Sequence, residues 1–365
     1  MIDLKACLDE KHVIDVVGND RNKQSIFEKY VYSMSLLEQI DHLLGQKHYV
    51  FKGGTSLLLL FDHSSRFSID IDICMNEEEF DNRNKLEKLF QERLCEPFVG
   101  VKKDVERGHG GKSIKAAHYL FSYIPKYQAD EEYILLDIVF QDSVIQGKPI
   151  SVDNPSLIQN GVPKKVNTIA IDDLLGDKLT AFAPNTIGVK YIAKDQYGRP
   201  KCTEIIKQLY DCAFLANHYC DIERVKNVYE NIAEYQIMCG NDKQLTIAKC
   251  LMDTIQTCEL ILSGGYRDKN KYNLLVSGMK NFNDYVIGNA ITSYDLQKYA
   301  FSVDIVASRL LRLFNPLVNA ENKLDFFVRT GIKEKELKLI ADEESLDNFY
   351  KHCLLSISKW WLPIK

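Results

Sequence analysis

Apolar and polar residues follow two different periods along this chain. In the segment 67–74 every second residue is apolar, which is the period of a half-buried β-strand. Strand-like composition recurs at 48–52, 114–124 and 133–140, and helical periodicity separates these segments at 20–44 and 77–94. Because strands and helices alternate in this way, we predict an α+β fold with a mixed sheet over residues 1–165.

Beyond this region the strand signals fade and a helical period takes over. Asp172 or Asp173 is expected to cap the first of these helices, and Pro184 is expected to end it. The predicted helices are 174–182, 203–218, 222–234, 242–262, 272–286, 296–313 and 345–360. The sequence therefore predicts a second, mainly helical domain over residues 166–365.

Two aspartates, Asp70 and Asp72, stand among the polar positions of the segment 67–74. On a strand they would project from one face, about 7 Å apart. Two such carboxylates repel each other unless a cation lies between or beside them, and Mg²⁺ (or Mn²⁺) prefers oxygen ligands. The alternative is a pair of solvated carboxylates on an exposed strand. A calcium loop is excluded, because Cys74 and Met75 stand where an oxygen ligand and a glycine are needed.

A glycine turn, Gly53 and Gly54, precedes the aspartates and separates a short strand from an apolar helix. Backbone N–H groups at such a turn can approach a phosphate closely, and the helix dipole adds to the attraction. Thr55 and Ser56 offer hydroxyl donors at the same place. Arg66 is a candidate for a bidentate contact with a carboxylate or a phosphate. We therefore predict that these five residues bind a nucleotide.

Three further charged residues are candidates for chemistry. Asp137 interrupts an apolar strand, where it would complete a two-metal site and orient or deprotonate an attacking hydroxyl. A buried ion pair with Lys or Arg is its alternative. Lys178 lies at the apolar face of a helix, from which its ammonium can reach either a triphosphate or solvent. Asp211 follows Lys207 by four residues, so its alternative role is an exposed ion pair.

Composition limits the class of protein. The 365 residues carry a net charge of −5, with a pI near 6.0, which argues against a strongly basic, nonspecific nucleic-acid binder. One basic stretch with interleaved His and Tyr, residues 102–126, fits either RNA contact or a solvated hairpin. No apolar run is long enough to cross a bilayer, and residues 1–20 do not resemble a signal peptide, so we expect no membrane association and a cytoplasmic location.

The ten cysteines are scattered without any C-x-x-C pair, which favours free thiols over disulfides or zinc. The nearest approach to a zinc cluster is Cys212, His218 and Cys220. Their neighbours are apolar and helical, which argues against a metal site.

Five sequence blocks, which span about residues 45–220, are found together in one known family. They are Lys52-Gly-Gly-Thr55, Arg66-Phe-Ser-x-Asp70-x-Asp72, Asp137, Asp173-Leu-Leu-x-Asp-Lys178-Leu-x-Ala181 and Leu209-Tyr-Asp211. Together they resemble the AbiEii/AbiGii-type nucleotidyltransferase toxins of the polymerase-β-like nucleotidyltransferase superfamily. The resemblance implies a polymerase-β-like core in which the glycine turn and paired aspartates bind NTP and Mg²⁺. It also implies that Lys178 and Asp211 complete the site.

The resemblance further implies an activity and partners. Members transfer a nucleoside monophosphate from an NTP to an acceptor, which is the 3′ end of tRNA in some relatives. They are commonly the toxin half of a toxin–antitoxin or phage-defence pair, so a cognate antitoxin is expected. Two alternatives stay open: an enzyme that nucleotidylates protein hydroxyls, and a regulatory module that binds nucleotide without transferring it.

Overall fold

A computed structural model of the protein describes residues 1–61, 66–104, 115–127, 130–142, 144–193, 198–240, 242–265 and 268–314. In these ranges the helices are α1 (Leu4–Cys7), α2 (Glu10–Val17), α3 (Arg21–Leu44), α4 (Gly53–Leu60), α5 (Arg83–Arg93), α6 (Ile171–Ala181), α7 (Cys202–Ala216), α8 (Ile222–Cys239), α9 (Ile247–Leu262), α10 (Lys269–Phe282) and α11 (Ser293–Phe314). The strands are β1 (Val50–Lys52), β2 (Ile71–Met75), β3 (Phe98–Lys103), β4 (Ala116–Tyr123), β5 (Glu132–Phe140), β6 (Gly147–Ser151) and β7 (Lys165–Ile169). Two 3₁₀ helices cover Glu77–Asn82 and Asn283–Tyr285.

The chain divides into two compact units. The first comprises Met1–Leu174 together with Asp284–Ala290. The second comprises Leu175–Asn283 and the described part of Ile291–Lys365. The boundary thus falls within α6, and the predicted domain boundary at residue 165 stays a prediction.

The first unit is built on a sheet of seven described strands in the order β3-β4-β5-β2-β1-β7-β6. The pairs β2/β5 and β1/β7 run parallel, and the remaining neighbours run antiparallel. This arrangement confirms the predicted α+β fold with a mixed sheet. It also places β2, which carries Asp72, near the middle of the sheet, where backbone pairing on both sides fixes its position.

The centre of the sheet is held by apolar residues on one face. Ile71 and Ile73 of β2 have no exposed surface, and the same holds for Leu136 and Ile138 of β5. Each is a direct neighbour of a residue on the adjoining strand, so the four side chains form one buried patch. Burial of this patch fixes the register between β2 and β5, because a slip of one residue would turn it outward.

Helix α3 holds the segment that leads into β2. The Asp20 side chain caps this helix by accepting the backbone N–H groups of residues 22 and 23. Farther along, the Phe67 ring lies 5.4 Å from Phe27 and 5.1 Å from Tyr30, both fully buried. The Ser33 hydroxyl also donates to the carbonyl of Ile69. These contacts anchor the backbone on the approach to Asp70.

The structure corrects the predicted elements at several points. Strand β2 begins at Ile71, so the predicted strand 67–74 is too long at its start. The predicted helix 77–94 divides into a 3₁₀ helix and α5. Strands β3, β6 and β7 were not predicted. Two of them, β3 and β6, lie at the edges of the sheet, where exposed residues weaken the alternation of apolar and polar positions that marks a strand. In β6, for example, Gly147, Lys148 and Pro149 are all exposed. The predicted helix 345–360 lies outside the described residues.

The second unit is helical in its described part, as predicted. Helix α11 packs against both α9 and α7, α10 packs against α7, and α8 contacts α9 and α11. Asp221, Thr246 and Asp268 provide the N-caps of α8, α9 and α10. None of the helices in the described ranges is both long enough and apolar enough to cross a membrane.

The packing of α10 on α7 depends on a glycine. A Cβ atom at Gly278 would lie 2.5 Å from the backbone carbon of Cys202 and 2.6 Å from its oxygen. In an unobstructed helix, Gly→Ala stabilises by about 1 kcal/mol. Here we expect Gly278→Ala to lower the free energy of unfolding by about 1–3 kcal/mol, since backbone atoms must separate. Urea denaturation measures the change.

The matched control is Ser277→Ala, at an exposed position of the same helix. It should change the free energy of unfolding by no more than about 0.5 kcal/mol. A Gly278→Ala protein as stable as wild type would contradict the close approach of the two helices.

Candidate active site

Four polar side chains form a row across the sheet: His118 on β4, Asp137 on β5, Asp72 on β2 and Lys52 on β1. The strand register places His118 opposite Asp137, Asp137 opposite Asp72, and Asp72 opposite Lys52. Directly opposed residues point to the same face, with neighbouring backbones about 5 Å apart. All four residues are half-buried. We call this set the polar row, and it lies on the opposite face from the buried patch of Ile71, Ile73 and their neighbours.

The glycine turn lies directly against this row. Strand β1 ends at Lys52, and α4 begins at the next residue, Gly53, whose φ is +80°. A Cβ atom at Gly53 would overlap Oδ2 of Asp72 and would lie 2.7 Å from its carboxyl carbon. The Asp72 carboxylate therefore occupies the space that a side chain at residue 53 would fill. It lies beside the positive end of the α4 dipole, which favours a negative group there.

Arg66 reaches the second glycine of the turn. A Cβ atom at Gly54 would lie 2.5 Å from Nη2 of Arg66 and 2.9 Å from Oγ of Ser68. Arg66 is 3% exposed, and its Nη1 donates to the carbonyl of Phe67 at 3.0 Å. The structure thus brings this predicted residue to the turn, where its guanidinium is buried against the backbone.

The hydroxyls of Thr55 and Ser56 both donate to backbone carbonyls. Thr55 Oγ1 donates to the backbone carbonyl of Asp70 at 2.5 Å, and Ser56 Oγ donates to the carbonyl of Gly53 at 2.8 Å. Both residues are fully buried. Because a hydroxyl has one proton to donate, both are directed at carbonyls in this arrangement. Thr55 thereby ties α4 to Asp70, and a role of either hydroxyl in phosphate binding stays a prediction.

Asp70 and Asp72 differ in how the fold holds them. Asp72 belongs to the β2 ladder, whereas Asp70 lies one residue before the strand begins. Strand pairing therefore determines the sheet face toward which Asp72 points, but it does not determine the direction of Asp70. The expectation that strand alternation directs both carboxylates to one face is corrected in this respect. Asp70 is held through its backbone carbonyl by Thr55.

The polar row contains two carboxylates whose chemistry suits a metal ion. Within the described ranges no three or more His, Cys, Asp or Glu side chains are grouped so as to hold a metal, neither at the aspartates nor at Cys212 and its neighbours. What the sheet does bring together is the carboxylate pair Asp72 and Asp137. Such a pair fits Mg²⁺ or Mn²⁺, because these hard cations are commonly bound by one or two carboxylates while substrate phosphates and water supply the other ligands.

His118 is a member of the row that sequence reasoning missed. Its Nδ1 lies 2.6 Å from Oδ1 of Asp137, and the two side chains are 17% and 23% exposed. In the sequence His118 is one of several aromatic residues in the basic stretch 102–126. Its position between buried Ala117 and Tyr119 could have indicated a strand residue facing the other way. Pairing with Asp137 could not be read from the sequence, because it depends on the register of β4 and β5.

The described part of the basic stretch makes contacts within the chain. Lys115 forms an ion pair with Glu77 at 2.8 Å. The Lys126 ammonium donates to the carbonyl of Leu8 at 2.7 Å. Residues 105–114, which include most of its predicted turn, lie outside the described residues.

Lys178 and Asp211 form a buried ion pair in the second unit. Lys178 Nζ lies 2.8 Å from Oδ2 of Asp211 and donates to Oε1 of Gln208 at 3.2 Å. The side chains are 8% and 0% exposed, so the alternative of an exposed ion pair at Asp211 is wrong. Burial, reinforced by the charge of Asp211, raises the pKa of the adjacent Cys212 thiol well above its usual value. This thiol is therefore protonated at neutral pH and is a poor metal ligand.

The space at Gly53 predicts a stability difference between two glycines that both have a positive φ. Gly18 has φ +76° and nothing within 4 Å of the place that a Cβ atom would take, whereas Gly53 has φ +80° and the Asp72 carboxylate in contact. Gly18→Ala should cost about 1–3 kcal/mol of unfolding free energy from backbone strain alone, because positive φ with ψ near −160° is essentially a glycine conformation. Gly53→Ala should cost about 1–3 kcal/mol more, because the carboxylate must also move. Urea denaturation of both variants tests this, and equal losses would contradict it.

The buried ion pair predicts how the free energy of unfolding changes when one or both of its residues are replaced. Asp211→Leu should destabilise by about 3–5 kcal/mol, since it leaves the Lys178 ammonium buried without this partner. The double variant Lys178→Met/Asp211→Leu should lose less than either single variant. The control is Lys88→Ala, which breaks an exposed pair with Glu92 (side chains 74% and 59% exposed) and should cost less than about 1 kcal/mol. A strictly additive double-mutant cycle, measured by denaturation, would refute the coupling.

Comparison with known proteins places this chain among nucleotidyltransferases. The model of the family described as "Nucleotidyl transferase AbiEii toxin, Type IV TA system" matches residues 35–263. None of the curated proteins matches. Among solved structures, MenT4, a nucleotidyltransferase toxin from Mycobacterium tuberculosis, aligns over 93% of this chain and 98% of its own, with 14% identity and a TM-score of 0.52. This likeness shows a shared fold.

A second solved structure, JHP933 from Helicobacter pylori, aligns over 82% of this chain and 98% of its own. Its identity of 17% and TM-score of 0.41 are too low to support a statement about this protein. Nucleotidyltransferases use an NTP and generally a divalent metal, and a type IV toxin has an antitoxin partner. The family match covers more than half of the sequence and includes the glycine turn, the polar row and the buried ion pair, and the chain therefore belongs to the AbiEii nucleotidyltransferase toxin family.

Proposed function

We propose that this protein transfers a nucleoside monophosphate from an NTP to the 3′ end of tRNA, with Mg²⁺ or Mn²⁺ bound by the polar row. The observation that carries this proposal is the direct opposition of Asp72 and Asp137 beside a glycine turn at the start of α4. This arrangement would place a cation and the phosphates of a nucleotide within one strand spacing of each other.

The triphosphate would bind at the start of α4. The first N–H groups of a helix have no partner within it, and they carry the positive end of its dipole. Gly53 and Gly54 add no side chains of their own to this backbone, and the Arg66 guanidinium lies beside Gly54. Lys52, at the end of the row, adds a positive charge next to Asp72.

Asp72 and one oxygen of Asp137 would hold the metal ion, and Asp70 would join them when the triphosphate binds. When bound, the ion supplies charge neutralisation at the α-phosphate and at the leaving pyrophosphate. The two carboxylates on adjacent strands repel each other by themselves, so the row favours a cation. This is the physical reason to expect metal-dependent nucleotide binding.

Asp137 would act on the acceptor. In transfer, a bond forms between the acceptor oxygen and the α-phosphorus, and the bond from that phosphorus to pyrophosphate breaks. The proton of the acceptor hydroxyl passes to the Asp137 carboxylate, which also orients the hydroxyl for attack. The exposure of Asp137, 23% of its side chain, is consistent with access of an acceptor from solvent.

Lys178 and Asp211 are assigned to the nucleotide site by the family motif. In this assignment Lys178 contacts phosphate, and Asp211 holds its ammonium in place through the ion pair. This role rests on the motif and stays a proposal.

The transfer is tested with each of the four α-labelled NTPs, Mg²⁺ and total tRNA. We expect one labelled RNA product, and Asp72→Asn should lower the rate by at least about 100-fold because it removes a metal ligand. Asp70→Asn should reduce the rate in the same way. Asp15→Asn, an exposed aspartate of α2, is the control and should leave the rate unchanged.

The product decides between the alternatives. Label that is removed by ribonuclease supports tRNA as the acceptor, and label that survives ribonuclease but is removed by protease supports a protein hydroxyl. NTP binding without pyrophosphate release under all conditions would indicate a regulatory module. Labelling by Asp72→Asn at the wild-type rate would refute the proposed metal site.

A further inference from the structure

His118 is held at the end of the polar row by both its backbone and its ring. Its carbonyl accepts the N–H of Asp104 at 2.9 Å, which ties β4 to the end of β3. Ala117 and Tyr119 on either side are buried in the opposite face, with exposures of 1% and 0%. The strand therefore turns the ring of His118 toward the face that carries Asp137.

The contact between His118 and Asp137 requires a proton on one particular nitrogen. Nδ1 lies 2.6 Å from Oδ1 of Asp137, a separation typical of a short hydrogen bond to a charged acceptor. A bare ring nitrogen and a carboxylate oxygen would repel each other at this distance. With an ionised Asp137 carboxylate, Nδ1 is therefore the donor in this contact.

We propose that His118 is a positioning residue for nucleotide transfer, which fixes the orientation of the Asp137 carboxylate through Nδ1. This inference rests on the proposed function, since it gives His118 no role apart from Asp137. The last torsion of an aspartate is soft, so a carboxylate on an open strand face rotates among many orientations. A hydrogen bond to one oxygen removes most of that freedom.

The hydrogen bond from His118 leaves the Asp137 carboxylate able to bind further groups. A carboxylate offers about four acceptor positions, and His118 occupies one of them. The remaining capacity can serve the metal ion and the acceptor hydroxyl in the arrangement proposed above. Polar groups that orient metal-binding or reacting side chains in this way typically change affinity or activity about 10–100-fold when they are removed.

Substitutions at residue 118 separate positioning from packing. His118→Leu removes the donor, and we expect kcat to fall about 10–100-fold while the KM for NTP stays within about twofold. His118→Asn should keep kcat within about threefold of wild type, because its amide nitrogen lies where Nδ1 lies. His118→Gln places its nitrogen nearer the position of Nε2 and should not rescue. The rates are measured with α-labelled NTP, Mg²⁺ and total tRNA.

The control is His12→Asn in the same unit. His12 is also half-buried, and its Nε2 lies 2.9 Å from the carbonyl of Ser156. This variant should keep the wild-type kcat. If His118→Leu does not fold, the comparison of the Asn and Gln variants still decides, and equal rates for those two would overturn the proposal.

A second measurement uses the protein without metal or nucleotide. The ¹⁵N-histidine NMR spectrum reports which ring nitrogen carries a proton, and the signals lost in His118→Asn assign residue 118. We expect a protonated Nδ1 in wild type, and a bare Nδ1 would overturn the proposal.

Transfer at the wild-type rate by His118→Leu, with Asp137→Asn inactive, would also reject it and leave the proposed function intact. Full transfer by Asp137→Asn would instead reject the proposed role of Asp137.

Discussion

The parallel pairing of β2 with β5 is the constraint on which the site depends, because it forces two carboxylates into neighbouring positions. Asp72 and Asp137 are register partners, with backbones about 5 Å apart. At an effective dielectric constant of about 20, two unit charges at that separation repel by about 3 kcal/mol. The fold accepts this repulsion because the buried residues on the opposite face fix the register.

The surroundings of the two carboxylates reduce this repulsion. Lys52 lies beside Asp72 in the register, and His118 donates to Asp137. The start of α4 adds the positive end of a helix dipole next to Asp72. The row thus runs from a cation through two anions to a hydrogen-bond donor. A divalent cation between the carboxylates would convert the remaining repulsion into attraction. The two aspartates carry more negative charge than Lys52 balances, so the polar row favours a bound cation.

The sequence was sufficient to predict local features and the family. It was insufficient for contacts that depend on the register between paired strands. The strand around Asp137, the long helix α3 and the glycine turn carry strong local signals, and each is present in the structure. The edge strands β3 and β6 carry weak signals because exposure hides their period. His118 illustrates the same limit at the site. Nothing local to residue 118 indicates that it faces a carboxylate nineteen residues away, since that contact exists only after β4 and β5 have paired.

The two aspartates of the Asp-x-Asp pair are therefore unequal in a way that the sequence pattern conceals. Asp72 is held by strands on both sides, and its carboxylate lies against the backbone of Gly53. Asp70 is placed by hydrogen bonds to backbone carbonyls in the segment before β2, one from Thr55 and one from Ser33 to the preceding residue. A strand residue keeps its direction because every neighbour must move with it, whereas at Asp70 the backbone is anchored and the side-chain torsions set the direction of the carboxylate. In the proposed site, Asp72 and Asp137 would therefore define the position of the cation, and the Asp70 carboxylate would turn toward it as the triphosphate binds.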